Sequence, residues 1–216
     1  MAEPFVPTGM AGEPGRDVPG DDPLPESRFI APDARCPHPG RWHSTDGDST
    51  EIEVSDVAYG LVRALQPDDV LETGTAFGQT AEQIALGLRE NGRGVLWTLD
   101  PDGERLAYAQ RRLARIGHTY GIASSSLDWT PPHDVRFGLV WLDSLYELRV
   151  PEFERFERFL APGAVVCFHD TAPGRGGHRI ASGLSLRDEL DRCLGDRLLM
   201  LDLPTPRGLT IAQRRP

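Results

Sequence analysis

Between Val70 and Thr80 the chain reads Val-Leu-Glu-Thr-Gly-Thr-Ala-Phe-Gly-Gln-Thr, and no other stretch limits the fold as strongly. An apolar run leads into an acidic residue and a glycine turn. That turn opens directly into apolar residues of helical period at Ala81, Ile84, Ala85 and Leu88, the pattern of a strand, turn and helix in a parallel sheet. Gly74 is placed for a positive φ, Gly78 for close approach of backbone to a ligand, and the free amides of the following helix face whatever lies in the turn. A second apolar run, Val95–Leu99, ends in Asp100. It lies about 20 residues beyond Gly78, the spacing at which a carboxylate on the neighbouring strand accepts hydrogen bonds from ribose hydroxyls. The glycines are spaced G-x-x-x-G with Ala76 and Phe77 inside, which departs from the G-x-G-x-x-G of dinucleotide sites and argues against NAD or FAD.

In Glu72, Gly74, Gly78 and Asp100 the chain resembles the class I S-adenosylmethionine-dependent methyltransferases, whose first motif is acidic-x-Gly-x-x-x-Gly and whose second is an acidic strand end. The resemblance runs from about residue 50 to the C-terminus. It implies that Glu72 supports the methionine end of the cofactor, that Gly74, Thr75 and Gly78 form the turn under its sugar, and that Asp100 holds the ribose diol. It further implies adenine contacts from Ser125 and Ser126 of the Ser124-Ser125-Ser126 run.

The remaining elements fit that scheme. Val54, Val57, Ala58, Leu61, Val62 and Leu65 predict a leading helix stopped by Pro67. Leu106, Ala109, Leu113 and Ile116 predict another, ending at Gly117. Strands are expected at 119–123, 137–142 and 164–168, with a closing hairpin of 198–203 and 209–212 around Pro204-Thr205-Pro206-Arg207-Gly208. The expected fold is α/β, a Rossmann-like doubly wound seven-stranded sheet with helices on both faces. Residues 1–48, rich in Pro, Gly and Asp with few large apolar residues, read as a tail or lid, and residues 49–216 as the methyltransferase domain. Phe5, Phe29, Ile30 and Trp42 are the tail residues able to dock over a cleft.

Composition narrows the partners. A net charge of −10 with a pI near 5.0 disfavours a nucleic-acid substrate, since phosphate contacts need a basic surface. The basic residues are all Arg. Cys36, Cys167 and Cys193 are odd in number and widely separated, which excludes a disulfide framework and suits a reducing cytoplasm. Cys36, His38 and His43 lack the second half of a zinc site and read as loop residues. With no secretory pattern and no apolar run of membrane-spanning length, the expectation is a soluble cytoplasmic protein. A homo-oligomer is compatible with all of this.

Chemistry beyond cofactor binding is expected at the ends of the fourth and fifth strands. Asp143 follows Val140-Trp141-Leu142 and Asp170 follows Val166-Cys167-Phe168-His169, and strand ends of one parallel sheet face one crevice. Two converging carboxylates repel unless a hard cation lies between them, which points to Mg²⁺. Here the chain resembles the metal-dependent O-methyltransferases of the catechol and macrocin types. The resemblance implies Asp143 and Asp170 as metal ligands, with the third ligand open and His169 a candidate for it, and a small hydroxylated molecule as methyl acceptor. The macrocin-like Asp-Gly-Asp-His-Ser-Tyr-Glu is shortened here to Asp143-Ser144-Leu145-Tyr146-Glu147, without its histidine. His169 is then the substitute general base, its ordinary pKa near 6.5 lying close to working pH. The basic loop Gly174-Arg175-Gly176-Gly177-His178-Arg179 reads as solvated surface or as recognition of an acidic or sugar-like acceptor. Two alternatives remain: an oxygenase resembling the cephalosporin hydroxylases, with iron on His169 and the carboxylates, and a non-catalytic S-adenosylmethionine-binding protein.

Overall fold

The computed structural model describes residues 33–44 and 47–216; Phe5, Phe29 and Ile30 lie outside them. In chain order the elements are α1 (Ile52–Leu65), β1 (Asp69–Thr73), α2 (Gln79–Asn91), β2 (Val95–Leu99), α3 (Gly103–Leu113), β3 (Thr119–Ile122), β4 (Phe137–Leu142), α4 (Arg149–Phe156), β5 (Leu160–His169), α5 (Leu186–Leu194), β6 (Leu198–Leu203) and β7 (Leu209–Arg214). The seven strands form one sheet in the order β3-β2-β1-β4-β5-β7-β6. Strands β1 to β5 run parallel, and β7 enters antiparallel between β5 and β6.

Alternating strand residues divide the core into two layers. Val70, Leu96, Leu139, Trp141 and Cys167 face Val54, Ala58 and Val62 of α1, Ile84 and Leu88 of α2, and Leu113 of α3. Leu71, Leu99, Val140, Leu142 and Phe168 face the other way, onto Phe153 and Phe156 of α4 and Leu190 and Leu194 of α5. The sheet is thus doubly wound, as expected. The crossover from β3 to β4, residues 123–136, carries no helix. On that side Trp97, Tyr120 and Trp129 stack at centroid separations of 4.8 and 5.9 Å instead.

Two strands run longer than the sequence expectation. β5 starts at Leu160, because Leu160 pairs with Phe137 ahead of a register shift, and β7 runs on to Arg214 because Leu198 of β6 pairs with it. Part of the stretch read as a tail is docked on the domain. The backbone N–H of Asp33 donates to the carbonyl of Pro206 at 3.0 Å, Cys36 is buried, and Trp42 packs against the α1–α2 layer. Among the described residues no helix is long and apolar enough to cross a membrane.

The layered core predicts a specific cost. Phe168 is fully buried between the sheet and α4, its ring 6.3 Å from that of Phe153. Phe168→Ala should therefore lower unfolding free energy by about 3–5 kcal/mol, as read by denaturant titration.

Candidate active site

The strand order reverses between β1 and β4, so the crevice of this sheet opens where their carboxyl ends part. The turn after β1 is held in the left-handed region at Gly74 (φ 84°), Ala76 (φ 44°) and Gly78 (φ 83°). A Cβ on Gly74 would lie 2.3 Å from the carbonyl oxygen of Asp143, so the turn touches the backbone at the end of β4. Gly78 has a packing reason beside the ligand approach expected of it. A Cβ there would meet Cβ of Ala109 at 2.9 Å, so this glycine lets α2 pack against α3. Gly78 is also the N-cap of α2 and no side chain caps that helix, which leaves its first amides to a ligand.

Asp100 stands at the rim of the same turn. One carboxylate oxygen accepts from the N–H of Ala76 at 2.8 Å and the other from the N–H of Asp102 at 2.9 Å, so Asp100 ties the two glycine-side loops together. A carboxylate oxygen holds a second lone pair, and a ribose hydroxyl would use it. Thr75 is turned inward, with its hydroxyl 2.5 Å from that of Thr98. Thr98 in turn donates to Glu72. Burial is the main cause that raises Glu72 to about 8, against that hydrogen bond, with Asp143 and Asp100 adding to the rise. Ser125 accepts from the N–H of Leu127 at 3.3 Å. Ser126 donates to Glu152 at 2.5 Å, and Thr73 donates to the same carboxylate at 3.0 Å. The Ser126 hydroxyl is thus committed to the interior, away from the adenine role expected of it.

At the ends of β4 and β5 the structure brings Asp143, His169 and Asp170 together, with a ligating atom of each within 4.8 Å of the others. His169 is fully buried. Its Nδ1 lies 3.0 Å from Asp143 and its Nε2 2.7 Å from Glu51. Burial works to lower its pKa, but Asp143, Asp170 and Glu51 outweigh that and raise it to about 9. The ring is an imidazolium clamped at both nitrogens, not a free base. Thr50 donates to Asp143 at 2.6 Å, so residues Thr50 and Glu51 lie as a strap across the site.

Sequence reasoning missed the strap and the cations. Arg207 forks onto Asp170 at 2.8 and 3.1 Å, and Arg175 meets the same carboxylate at 2.8 Å. Burial would raise the carboxyl of Asp170, yet Arg207, His169, Arg175 and Arg149 hold it far below the ordinary carboxylate range. Arg175 belongs to the basic loop read as solvated or acceptor-facing, but its side chain turns inward, while His178 and Arg179 stay exposed. Arg207 is delivered by the β6–β7 turn. Gly208 (φ 82°) would set a Cβ 2.1 Å from the amide nitrogen of Ala172, and only its absence lets that turn close.

The fit to Mg²⁺ can be tested on these contacts. Asp143 is held by Thr50, Arg149 and His169, Asp170 by Arg207 and Arg175, and both nitrogens of His169 by carboxylates. A divalent cation needs free oxygen ligands in a negative cage. The set present is already neutralised by arginine and does not fit one. The same contacts leave His169 without a nitrogen for iron. The turn, the open α2 terminus and Asp100, by contrast, fit an adenosyl ligand.

A methyltransferase-domain family matches residues 71–171. Solved structures share the fold. The O-methyltransferase TomG of Streptomyces achromogenes, involved in tomaymycin synthesis and solved with S-adenosylmethionine, is 20% identical, with 78% of this chain and 82% of that one covered at a TM-score of 0.65. An O-methyltransferase from Bacillus cereus solved with S-adenosylhomocysteine is 15% identical (78% and 84% covered, TM-score 0.62), and a putative caffeoyl-CoA O-methyltransferase from Staphylococcus aureus is 16% identical (82% and 87% covered, TM-score 0.64). No curated protein matches the sequence. The methyltransferase-domain match thus falls on the β1-to-β5 part of a sheet whose fold is shared with structures solved with S-adenosylmethionine or S-adenosylhomocysteine.

The buried acids and imidazole set a pH dependence. Stability contributed by His169 is whole below its unfolded value of 6.5 and lost as pH rises through about 9. Glu72 holds a proton in the folded state up to about 8 that the unfolded chain releases above 4.5, so it too disfavours folding as pH rises. Asp170 and Glu51, both lowered, act oppositely: their contribution is present above the ordinary carboxylate range and lost below it. Calorimetric melting of the free protein should therefore peak between pH 4.5 and 6.5 and fall toward pH 9, with Glu72→Gln flattening the fall from pH 4.5 to 8. A melting temperature that rises from pH 6.5 to 9 would refute these assignments.

Proposed function

We propose that the protein transfers the methyl group of S-adenosylmethionine to a hydroxyl oxygen of a small molecule. The observation carrying this reading is the Asp143–His169 pair beside the Gly74 turn: Asp143 fixes Nδ1 at 3.0 Å, and Nε2 points at the spot now held by a Glu51 oxygen. An acceptor hydroxyl arriving in place of Glu51 would meet that nitrogen. S-adenosylmethionine, when bound, supplies a sulfonium-activated methyl group. As Glu51 withdraws it would carry off the proton it shares with Nε2, leaving a neutral ring; the acceptor oxygen then forms its bond to the methyl carbon as the carbon–sulfur bond breaks, and its proton passes to the vacated Nε2 of His169. Withdrawal of Glu51 also removes one of the three carboxylates that raise His169, so the ring gives up its own proton more readily as the site opens.

The chain's own groups supply orientation. Asp143 holds the ring and Asp100 holds the turn that lies against Asp143, so cofactor and base share one rigid frame. The acidic surface agrees with a small acceptor. The three O-methyltransferases of like fold support oxygen as the methylated atom.

Two measurements test this reading. Asp100→Ala removes the ribose acceptor and strands the amides of Ala76 and Asp102, and Gly74→Val drives a β-branched side chain into the carbonyl of Asp143. Each should weaken S-adenosylmethionine binding at least tenfold by calorimetry, and unchanged affinity in both would remove the cofactor assignment. On a panel of hydroxylated acceptors with labelled methyl donor, His169→Gln should lower kcat by about 10²- to 10⁴-fold with cofactor affinity kept. Full activity in that variant would make His169 a packing residue.

A further inference from the structure

The carboxyl ends of β4 and β5 hold three carboxylates, Glu51, Asp143 and Asp170, and three guanidinium groups, Arg149, Arg175 and Arg207. Arg149 is the most deeply placed of the six at 1% exposure, although it opens α4. Its side chain turns back into the space between the two strand ends. Nε donates to the carbonyl of Ser144 at 3.0 Å, and Nη1 to the carbonyls of Leu142 at 3.0 Å and His169 at 2.6 Å. Nη2 donates to Asp143 at 3.1 Å and to Ser144 at 2.5 Å, and lies 3.9 Å from Asp170. A guanidinium has five N–H donors, and every one finds an oxygen.

That oxygen set has a recognisable chemistry. Carboxylates from two strand ends with backbone carbonyls between them are what a hard divalent cation gathers. Here one arginine gathers them. Its charge is permanent, because guanidinium does not lose its proton in proteins. Three carboxylates already face three such charges, and adding a divalent ion would bury an excess of positive charge at a high desolvation cost.

We infer that Arg149 is the resident cation of this site, standing where a divalent metal would stand, and that methyl transfer here proceeds without a metal. Arg149 is a positioning residue. It fixes the Asp143 oxygen that also meets Nδ1 of His169, and it joins the ends of β4 and β5 through Leu142 and His169. The activity part of this inference rests on the methyl-transfer reading; the metal part does not.

The test uses the full chain stripped with EDTA. Titration with Mn²⁺, followed by electron paramagnetic resonance, should show no stoichiometric uptake, and millimolar Mg²⁺ should leave the melting temperature unmoved while S-adenosylhomocysteine raises it. Arg149→Gln removes the charge and should gain what the wild type lacks, Mn²⁺ uptake and a melting temperature raised by Mg²⁺, whereas Arg149→Lys keeps a cation and should gain neither. One Mn²⁺ per wild-type chain, displaced by Mg²⁺ and lost in Asp143→Asn, would overturn the inference even if the Arg149 variants fail to fold. An Arg149→Gln chain that binds S-adenosylhomocysteine yet shows no metal response would overturn it too. With an active acceptor, EDTA should leave the wild-type rate within twofold; a chain inactive on every acceptor would undo the methyl-transfer reading and leave the Mn²⁺ result standing.

Discussion

The contact between Gly74 and the carbonyl of Asp143 is the constraint on which the rest of the site depends. The exit of β1 can lie against the exit of β4 only because no Cβ intervenes at a φ of 84°. That approach puts the glycine turn beside the carboxylate that orients His169. Asp100 then secures the turn from its other side, through the amide of Ala76. The glycine turn and the Asp143–His169 pair are therefore adjacent for two reasons: the switch between β1 and β4 brings their ends together, and the glycine removes the clearance a side chain would impose.

Burying so many acids at one sheet end forces different solutions on each. Glu72 and Glu152 meet mainly hydroxyl groups, and desolvation drives their pKa values up. Asp170 has three arginines within 4 Å and stays ionised at equal depth. A hydroxyl partner satisfies a hydrogen bond, whereas a buried negative charge needs a positive one. Arginine suits this work because its fork reaches several oxygens at once and its charge does not titrate away.

Much of the scaffold was legible in the sequence. The apolar runs of β1, β2 and β4 and the helical spacing of α1, α2 and α3 carry their own period, and strand-end position alone places Asp100, Asp143 and Asp170 at one crevice. The far end of β7 was not legible, since Gln213 and Arg214 are exposed and held by backbone pairing. The cation cluster was hidden for a similar reason. Arg207 is 37 residues from Asp170, and Glu51 is 118 from His169, and no local pattern links residues that only a hairpin or a leading strap brings near. Local spacing also did not show the interior contacts of Gly78, Ser126 and Arg175: Gly78 packs on Ala109, Ser126 donates to Glu152 and Arg175 pairs with Asp170.

Glu51 joins these strands of the structure. It is the N-cap of α1, yet its side chain caps nothing in its own helix. A lost cap forgoes about 1 kcal/mol. Instead one oxygen accepts from Nε2 of His169 at 2.7 Å and the other from the backbone N–H of Arg207 at 3.0 Å, so the start of α1 is latched to β5 and to the β6–β7 turn. Thr50 adds a hydroxyl on Asp143, and the carbonyl of Ser49 accepts from Arg207 at 2.8 Å. Three consecutive residues thus lie over His169, Asp143 and Arg207. In the proposed reaction, opening the site would mean releasing the first turn of α1, and an incoming acceptor oxygen would have to satisfy Nε2 of His169 and the Arg207 backbone N–H that now hold Glu51.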